Sequence, residues 1–279
     1  MTISRDLADL IRQITSHIEV PDVRYVHLPD PQPSPDKEAE FGVIGLECGC
    51  GGFFYAWLGG AQDRLQQQFK PGQLIGRSPL DLVDLYMSDD EAQRSIGLAA
   101  INAISQHLFH IAAYQLETTS DSMAQLAFSP GDHVGMVGLF PSLVKKLRVQ
   151  NIDLTVIENK PHLVLVNDNY EVTLDVSRLH DCNKILCTGA VLLNDTVDEV
   201  LDHCRNADVI AMIGPTVSCL PDPLFARGVY VVGGATVADI TLLMRHLGSN
   251  IPFGASVEKY TIRRDDYAGV SALLERAQD

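Results

Sequence analysis

Val134-Gly-Met-Val-Gly-Leu-Phe-Pro141 and, farther along, Leu154-Thr-Val-Ile-Glu-Asn159 are the stretches whose reading decides the fold. Each is a short, nearly continuous apolar run that ends in glycine or a hydrogen-bonding side chain. Runs of that kind are strands buried on both faces. Between them Pro141–Gln150 reads as a helix, so the unit is strand, helix, parallel strand. The pattern continues toward the C-terminus. Lys184–Thr188, Val209–Ile213 and Val229–Val232 read as further strands. Thr196–Arg205, Leu220–Arg227 and Val237–Leu247 read as helices, and Leu163–Val166 with Val172–Leu174 reads as a minor hairpin around Asn167-Asp-Asn169. A doubly wound parallel sheet follows. The expected order is 3-2-1-4-5, with the first two crossovers running one way and the chain then reversing.

Before residue 118 the pattern is different. Ile3, Leu7, Leu10, Ile11, Ile14 and Ile18 share one helical face, which Thr2 or Ser4 can cap. Val23–Leu28 is a short strand, and Pro29–Lys37 holds four prolines and reads as a loop. Phe41–Glu47 and Phe53–Leu58 form a hairpin around Cys48-Gly-Cys-Gly-Gly52. Leu80–Met87 is a short helix. A long helix then runs from Ser88-Asp-Asp-Glu91, which has capping-box spacing, to about Tyr114. Gly97, Ala99, Ala100 and Ala103 would let another backbone approach it. The expectation is a smaller α+β domain over 1–117 and the parallel-sheet domain over 118–279, with the linker in 118–132.

Composition excludes several classes. The 279 residues carry a net charge of −15, and both parts of the chain are acidic. Nonspecific nucleic-acid binding by counterion release and attraction to anionic membranes are therefore not expected. No apolar run is long enough to span a bilayer, and the N-terminus lacks a signal-peptide pattern. The expected location is the cytoplasm, where the six cysteines stay reduced. A small-molecule or metal ligand remains open as a partner, and so does a homodimer.

In an open parallel sheet, ligands bind beyond the carboxyl ends of the strands. Those ends carry Gly138, Leu139, Phe140 and Pro141; Glu158 and Asn159; Thr188 and Gly189, with Asn194 and Thr196 downstream; Gly214, Pro215 and Thr216; and Gly233-Gly234 before Asp239. The glycine spacing at 135–138 is not a full dinucleotide fingerprint, but Glu158 stands where a carboxylate could accept from ribose hydroxyls. Glu158 can equally be a solvated strand-end residue. Thr188 and Thr196 can bind an anion or an amide, and Thr196 and Asp239 can instead cap helices. Cys48-x-Cys50 is not a zinc-finger spacing; the pair can bind a soft metal or merely shape a turn. Cys187 and Cys219 could line the crevice or be buried packing thiols, and Cys182 and Cys204 form no pattern. His107 and His110 are three apart on the long helix and could share a face. Spacing reveals no nucleophile or general base.

As a set, Val137-Gly-Leu-Phe-Pro141, Val156-Ile-Glu-Asn159, Thr188-Gly-Ala-Val-Leu-Leu-Asn-Asp-Thr196 and Gly214-Pro-Thr216 resemble the family named putative heavy-metal chelation, DUF364. Ser95-Ile-Gly-Leu-Ala-Ala-Ile-Asn-Ala103 resembles the small-residue helix of its companion domain, DUF4213. The resemblance covers most of the chain. It implies an enolase N-terminal-like domain followed by a Rossmann-like domain. The implied site lies in the cleft between them and takes in Asn102, Phe140, Glu158, Thr188, Asn194 and Thr216. It also suggests a transition metal as the bound group. Two departures stand out: Asp195 where a glycine is expected, and Thr216-Val-Ser-Cys219 where a Ser-Thr-Pro type loop is expected. Cys48 and Cys50 match no family motif. The favoured reading is a cytosolic protein holding a metal, or a small metal-chelating ligand, in the inter-domain cleft. The alternatives are a scaffold with a closed cleft and an enzyme acting on a small anionic or nucleotide-like substrate. The enzyme would depend on S-adenosylmethionine or a nucleotide, with Glu158 on a ribose.

Overall fold

The computed structural model describes residues 2–30, 40–56, 61–119, 126–167, 169–249 and 251–278. Most of the proline-rich loop, the expected strand end at Leu58 and the middle of the expected linker lie outside them. The chain opens with α1 (Ile3–Thr15), β1 (Val23–His27), β2 (Phe41–Leu46) and β3 (Gly51–Tyr55). It continues through α2 (Ala61–Gln68), α3 (Pro71–Leu74), α4 (Leu80–Val83) and the long α5 (Glu91–Ile111). The three strands form one antiparallel sheet in the order β1-β2-β3. Thr2 caps α1, accepting from the Arg5 N–H. The start of α5 differs from the expected capping box. Asp90 is its cap, accepting from the N–H groups of Ala92 and Gln93, while Ser88 accepts from the N–H of Asp90. The acid at 90 wins because its carboxylate also complements the helix dipole. Helix α5 is buried on nearly every side, so it is the spine of the molecule rather than an amphipathic cover.

The second sheet is built from β4 (Glu117–Thr118), β5 (His133–Val137), β6 (Asp153–Ile157), β7 (Leu165–Asn167), β8 (Tyr170–Thr173), β9 (Lys184–Thr188), β10 (Val209–Ile213), β11 (Val231–Val237) and β12 (Val257–Arg263). Helices α6 (Pro141–Val149), α7 (Val197–His203), α8 (Asp222–Phe225), α9 (Ile240–Gly248) and α10 (Val270–Gln278) complete the chain. The order is β4-β12-β11-β10-β9-β5-β6-β8-β7. The run from β8 to β11 is parallel; β7 and β12 run antiparallel to it, and β4 is antiparallel to β12. This is an α/β fold with a large mixed sheet and a small antiparallel one.

Among the five strands read from the sequence, the order is 2-1-3-4-5 rather than the expected 3-2-1-4-5. The β7–β8 hairpin explains the correction. Strand β8 pairs in parallel with the outer edge of β6, so β9 cannot add there and crosses back to pair with β5. The reversal of strand order therefore falls between β6 and β9, on either side of β5. Strands β12 and β4 were not anticipated, and β11 runs on to Val237.

The two sheets share packing. The largest apolar cluster runs from Ile3, Leu7 and Ile104 to Cys187, Val217 and Leu220. Arg94 on α5 is buried and reaches across. It donates from Nε to the Leu193 carbonyl at 2.9 Å and pairs with the Asp195 carboxylate at 2.8 Å. Asp195 itself adopts a φ of 59°. A left-handed position of this kind suits the glycine that the resemblance leads one to expect there. Here the left-handed position is taken by an acid, a residue type that tolerates it better than most, and its carboxylate also accepts from the Ser4 hydroxyl.

Candidate metal centre

The β2–β3 turn is closed by two backbone bonds, from Leu46 N–H to the Cys50 carbonyl (2.8 Å) and from Gly49 N–H to the Leu46 carbonyl (3.0 Å). Gly49 supplies the φ of 91° that this turn needs. The turn projects Cys48 to the surface and leaves Cys50 half-buried.

What meets these thiols comes from α5. Gly52 lies so close to that helix that a Cβ there would stand 2.0 Å from the Ala99 carbonyl oxygen and 2.5 Å from Ala103 N. Two residues of strand cover about 6.6 Å, and four residues of helix about 6 Å. Stepping from Gly52 back to Cys50 therefore matches stepping from Ala103 on to His107. His107 Nδ1 lies 3.5 Å from Cys48 Sγ, and the three ligand atoms of Cys48, Cys50 and His107 fall within 4.8 Å of one another. Among the described residues this is the one such cluster of three.

The imidazole is oriented. His107 is 6% exposed, and its Nε2 lies 3.0 Å from the Glu19 carbonyl. A carbonyl only accepts, so Nε2 carries a proton and Nδ1 is the nitrogen aimed at the thiols. The hydrogen bond from Cys50 and then that from His107 hold the Cys48 thiol down to about 4, against its partial burial. The same Cys48–Cys50 bond, with burial, pushes Cys50 up. Burial opposes the charged form of His107, but its bonds to Cys48 and to the Glu19 carbonyl outweigh this and raise it. A thiolate is thus present before any ion arrives. Two sulfurs and an imidazole nitrogen suit a soft or borderline ion such as copper(I), zinc or cadmium.

The strand-end residues are placed differently. Glu158 accepts from the Leu139 N–H at 2.8 Å and from the Asn159 N–H at 3.2 Å, so its carboxylate ties the loop after β6 to the β5–α6 loop beside Gly138. Across from it, Tyr55 donates to Glu40 at 2.7 Å, and burial together with the Glu40 and Glu158 carboxylates raises the phenol. Phe140 precedes α6, and Pro141 is its first residue. A Cβ on Gly138 would touch Thr188 Cγ2 at 3.0 Å, and one on Gly189 would meet Val217 N at 2.9 Å. Thr188 accepts from the Ala190 N–H, and Asn194 accepts from both the N–H and the hydroxyl of Thr196. Thr196 occupies the cap position of α7 without a side-chain cap bond, whereas Asp239 does cap α9 through the Leu242 N–H.

Gly214 and Pro215 lead into a short 3-10 turn, Pro215–Val217. Asn102 is fully buried and donates to the carbonyls of Phe53 (2.9 Å) and Thr216 (2.8 Å). The structure thus joins Asn102 to Thr216, Gly138 to Thr188, and Glu158 to the Gly138–Leu139 loop. Ser218, in the second departing loop, accepts from the Ala235 N–H, and its carbonyl accepts from Gln106. Cys182, Cys187, Cys204 and Cys219 are buried. His110 is exposed, so of the two helical histidines only His107 reaches the thiols.

Two family models match the chain. DUF364, described as "Putative heavy-metal chelation", covers residues 121–263, and DUF4213, with the same description, covers residues 40–105. An uncharacterized protein of Methanocaldococcus jannaschii is 28% identical over 197 residues, which is 67% of this chain and 73% of that protein. Two crystal structures of DUF364-family proteins of unknown function have the same fold. One, from Pyrococcus horikoshii, has a TM-score of 0.68 at 21% identity and covers 94% of this chain and 100% of that one. The other, from Desulfitobacterium hafniense, has a TM-score of 0.67 at 21% identity and covers 93% and 99%.

Proposed function

Because the chain belongs to the DUF364 family, described as "Putative heavy-metal chelation", we propose that it binds a soft transition-metal ion through Cys48, Cys50 and His107. One observation carries the reading: the convergence of two thiols and an oriented imidazole nitrogen within 4.8 Å. The ion is the protein's cargo. Cys48 Sγ and Cys50 Sγ would hold it from the turn and His107 Nδ1 from the helix, with further positions left to solvent or to an exogenous ligand on the exposed Cys48 side. A Cβ on Gly49 would lie 3.7 Å from Ile240 Cγ2, at the start of α9. That supports a site between an N-terminal unit, 1–117, and the parallel-sheet unit, 118–279. No helix among the described residues is long and apolar enough to cross a membrane.

The other reading places a small anionic or nucleotide-like ligand at the strand ends, with Glu158 on a ribose. It has less support, since that carboxylate already accepts two backbone N–H groups.

The test is a titration of reduced, tag-free protein with zinc, cadmium and copper(I), following thiolate-to-metal absorption, with elemental analysis of the purified chain. One ion per chain is expected. Losing an outer-shell partner typically costs about 10–100-fold in affinity. Cys48→Ser with Cys50→Ser removes two direct ligands, so it should exceed that while leaving the circular dichroism unchanged. Equal binding by the wild type and the double variant would sink the proposal.

A further inference from the structure

Resting on that metal reading, we propose that Cys48 and Cys50 also form a dithiol–disulfide couple. The couple exchanges with small disulfides of the glutathione type, and closing it takes both thiolates away from the ion. Three observations carry this. The two thiols stand two residues apart on a turn, with their sulfur atoms within 4.8 Å of one another. Two residues of chain span at most about 7 Å, and a turn brings the Cα atoms into the range a disulfide requires. Next, the two thiols differ in access: Cys48 is exposed and Cys50 is half-buried behind it. That is the arrangement of an attacking thiol and a resolving one. Finally, the other four cysteines are buried, so an oxidant in solution meets this pair first.

The chemistry balances. The Cys48 sulfur attacks one sulfur of the small disulfide; the Cys48–sulfur bond forms, the S–S bond of the oxidant breaks, and one small thiol leaves carrying a proton. The Cys50 sulfur then attacks Cys48 Sγ, forming the intra-turn bond and releasing the second small thiol with the second proton. Two electrons pass from the protein to the oxidant. So small a ring gains little from loop closure, so excess small thiol reopens it. A bound ion engages both sulfurs and shields them, and an oxidised pair offers the ion only His107. Binding and oxidation therefore exclude one another.

The experiment treats reduced, metal-free protein with glutathione disulfide and maps the products by mass spectrometry of the intact chain and its peptides. The expected product lacks two hydrogens, located on the peptide that carries Cys48 and Cys50, and reduced glutathione reverses it. Cys50→Ser should instead keep one glutathione on Cys48. Zinc added first should slow closure tenfold or more, and the oxidised protein should take up zinc only after reduction. Two results would overturn the proposal: mixed disulfides that never resolve in the wild type, or zinc uptake by the oxidised protein equal to that of the reduced one. The redox arm is read without metal, so the two readings fail separately. A protein that closes the disulfide yet takes no zinc when reduced overturns the metal reading and the release step together, leaving only the redox couple standing.

Discussion

The β2–β3 turn and the carboxyl ends of the parallel strands are both glycine-rich, and both carry side chains able to bind something. They use those side chains in opposite ways. At the strand ends Glu158, Thr188, Asn194 and Asp239 each accept from nearby backbone N–H groups, and the Asn102 amide nitrogen is bonded to two carbonyls while its buried Oδ1 has no partner. At the turn the backbone is closed by its own bonds, and the heteroatoms of Cys48, Cys50 and His107 face one another. A strand end whose carboxylates and hydroxyls are already paired with its own backbone is built as a joint. A turn whose ligand atoms face one another is poised to bind. Glycine density marked both places and could not tell them apart.

The sharpest way to break this contrast is at Gly52. An added methyl would collide with the helix backbone at Ala99 and Ala103, which cannot yield as a flexible side chain can. Gly52→Ala should cost about 1–3 kcal/mol or more in chemical denaturation, as overpacking does. It should also weaken zinc binding, because the same approach sets the height of His107. Full stability together with full binding would show that the helix does not position the histidine.

Protons give the next effect in size. At neutral pH the Cys48–Cys50 pair shares one proton, since Cys48 is held down to about 4 and Cys50 is pushed up. Ion binding at pH 8 should release at least the one proton shared by the thiol pair, and more at pH 6, where the raised His107 carries more of its own proton. Calorimetry in buffers of different ionisation enthalpy reads this number, and no release at either pH would remove the thiols from the site. The metal-free protein has a matching stability profile. The folded value of Cys48 lies below its unfolded one, so its contribution is fully present above the unfolded thiol value and is lost as pH falls toward about 4. The folded value of His107 lies above its unfolded one, so its contribution is full below about 6.5 and is lost as pH rises through the folded value.

The smallest effect belongs to the strand ends. Glu158→Gln keeps an oxygen to accept from Leu139 and removes only the charge. Stability should change by about 1 kcal/mol or less, and zinc affinity should stay the same. A tenfold loss of zinc affinity would move the ion to the crevice and reverse the comparison.

Much of the architecture was legible because it is local. Buried parallel strands announce themselves as apolar runs, and α1 as a one-sided face. The departures arise where neighbours compete. Asp90 outranked Ser88 as the cap of α5, and the β7–β8 hairpin claimed the edge of β6 and so changed the strand order. The strand-end residues were legible as a list but not as a role, because sequence shows which groups can hydrogen-bond and not which are already bonded.

Cys48-x-Cys50 was visible because its two residues lie within one turn of chain. The third ligand was not, for His107 stands 59 residues from Cys48 and looks from spacing like one of two histidines on a helix. By itself the sequence determined the class of fold, the net acidic charge, the capped start of α1 and a pair of thiols on a glycine turn, all matters of composition and short-range periodicity. Tertiary structure alone decided which helix residue faces those thiols and which polar groups remain free to bind. Both depend on how closely α5 can lie against Gly52, and that is a matter of steric packing between segments distant in the chain.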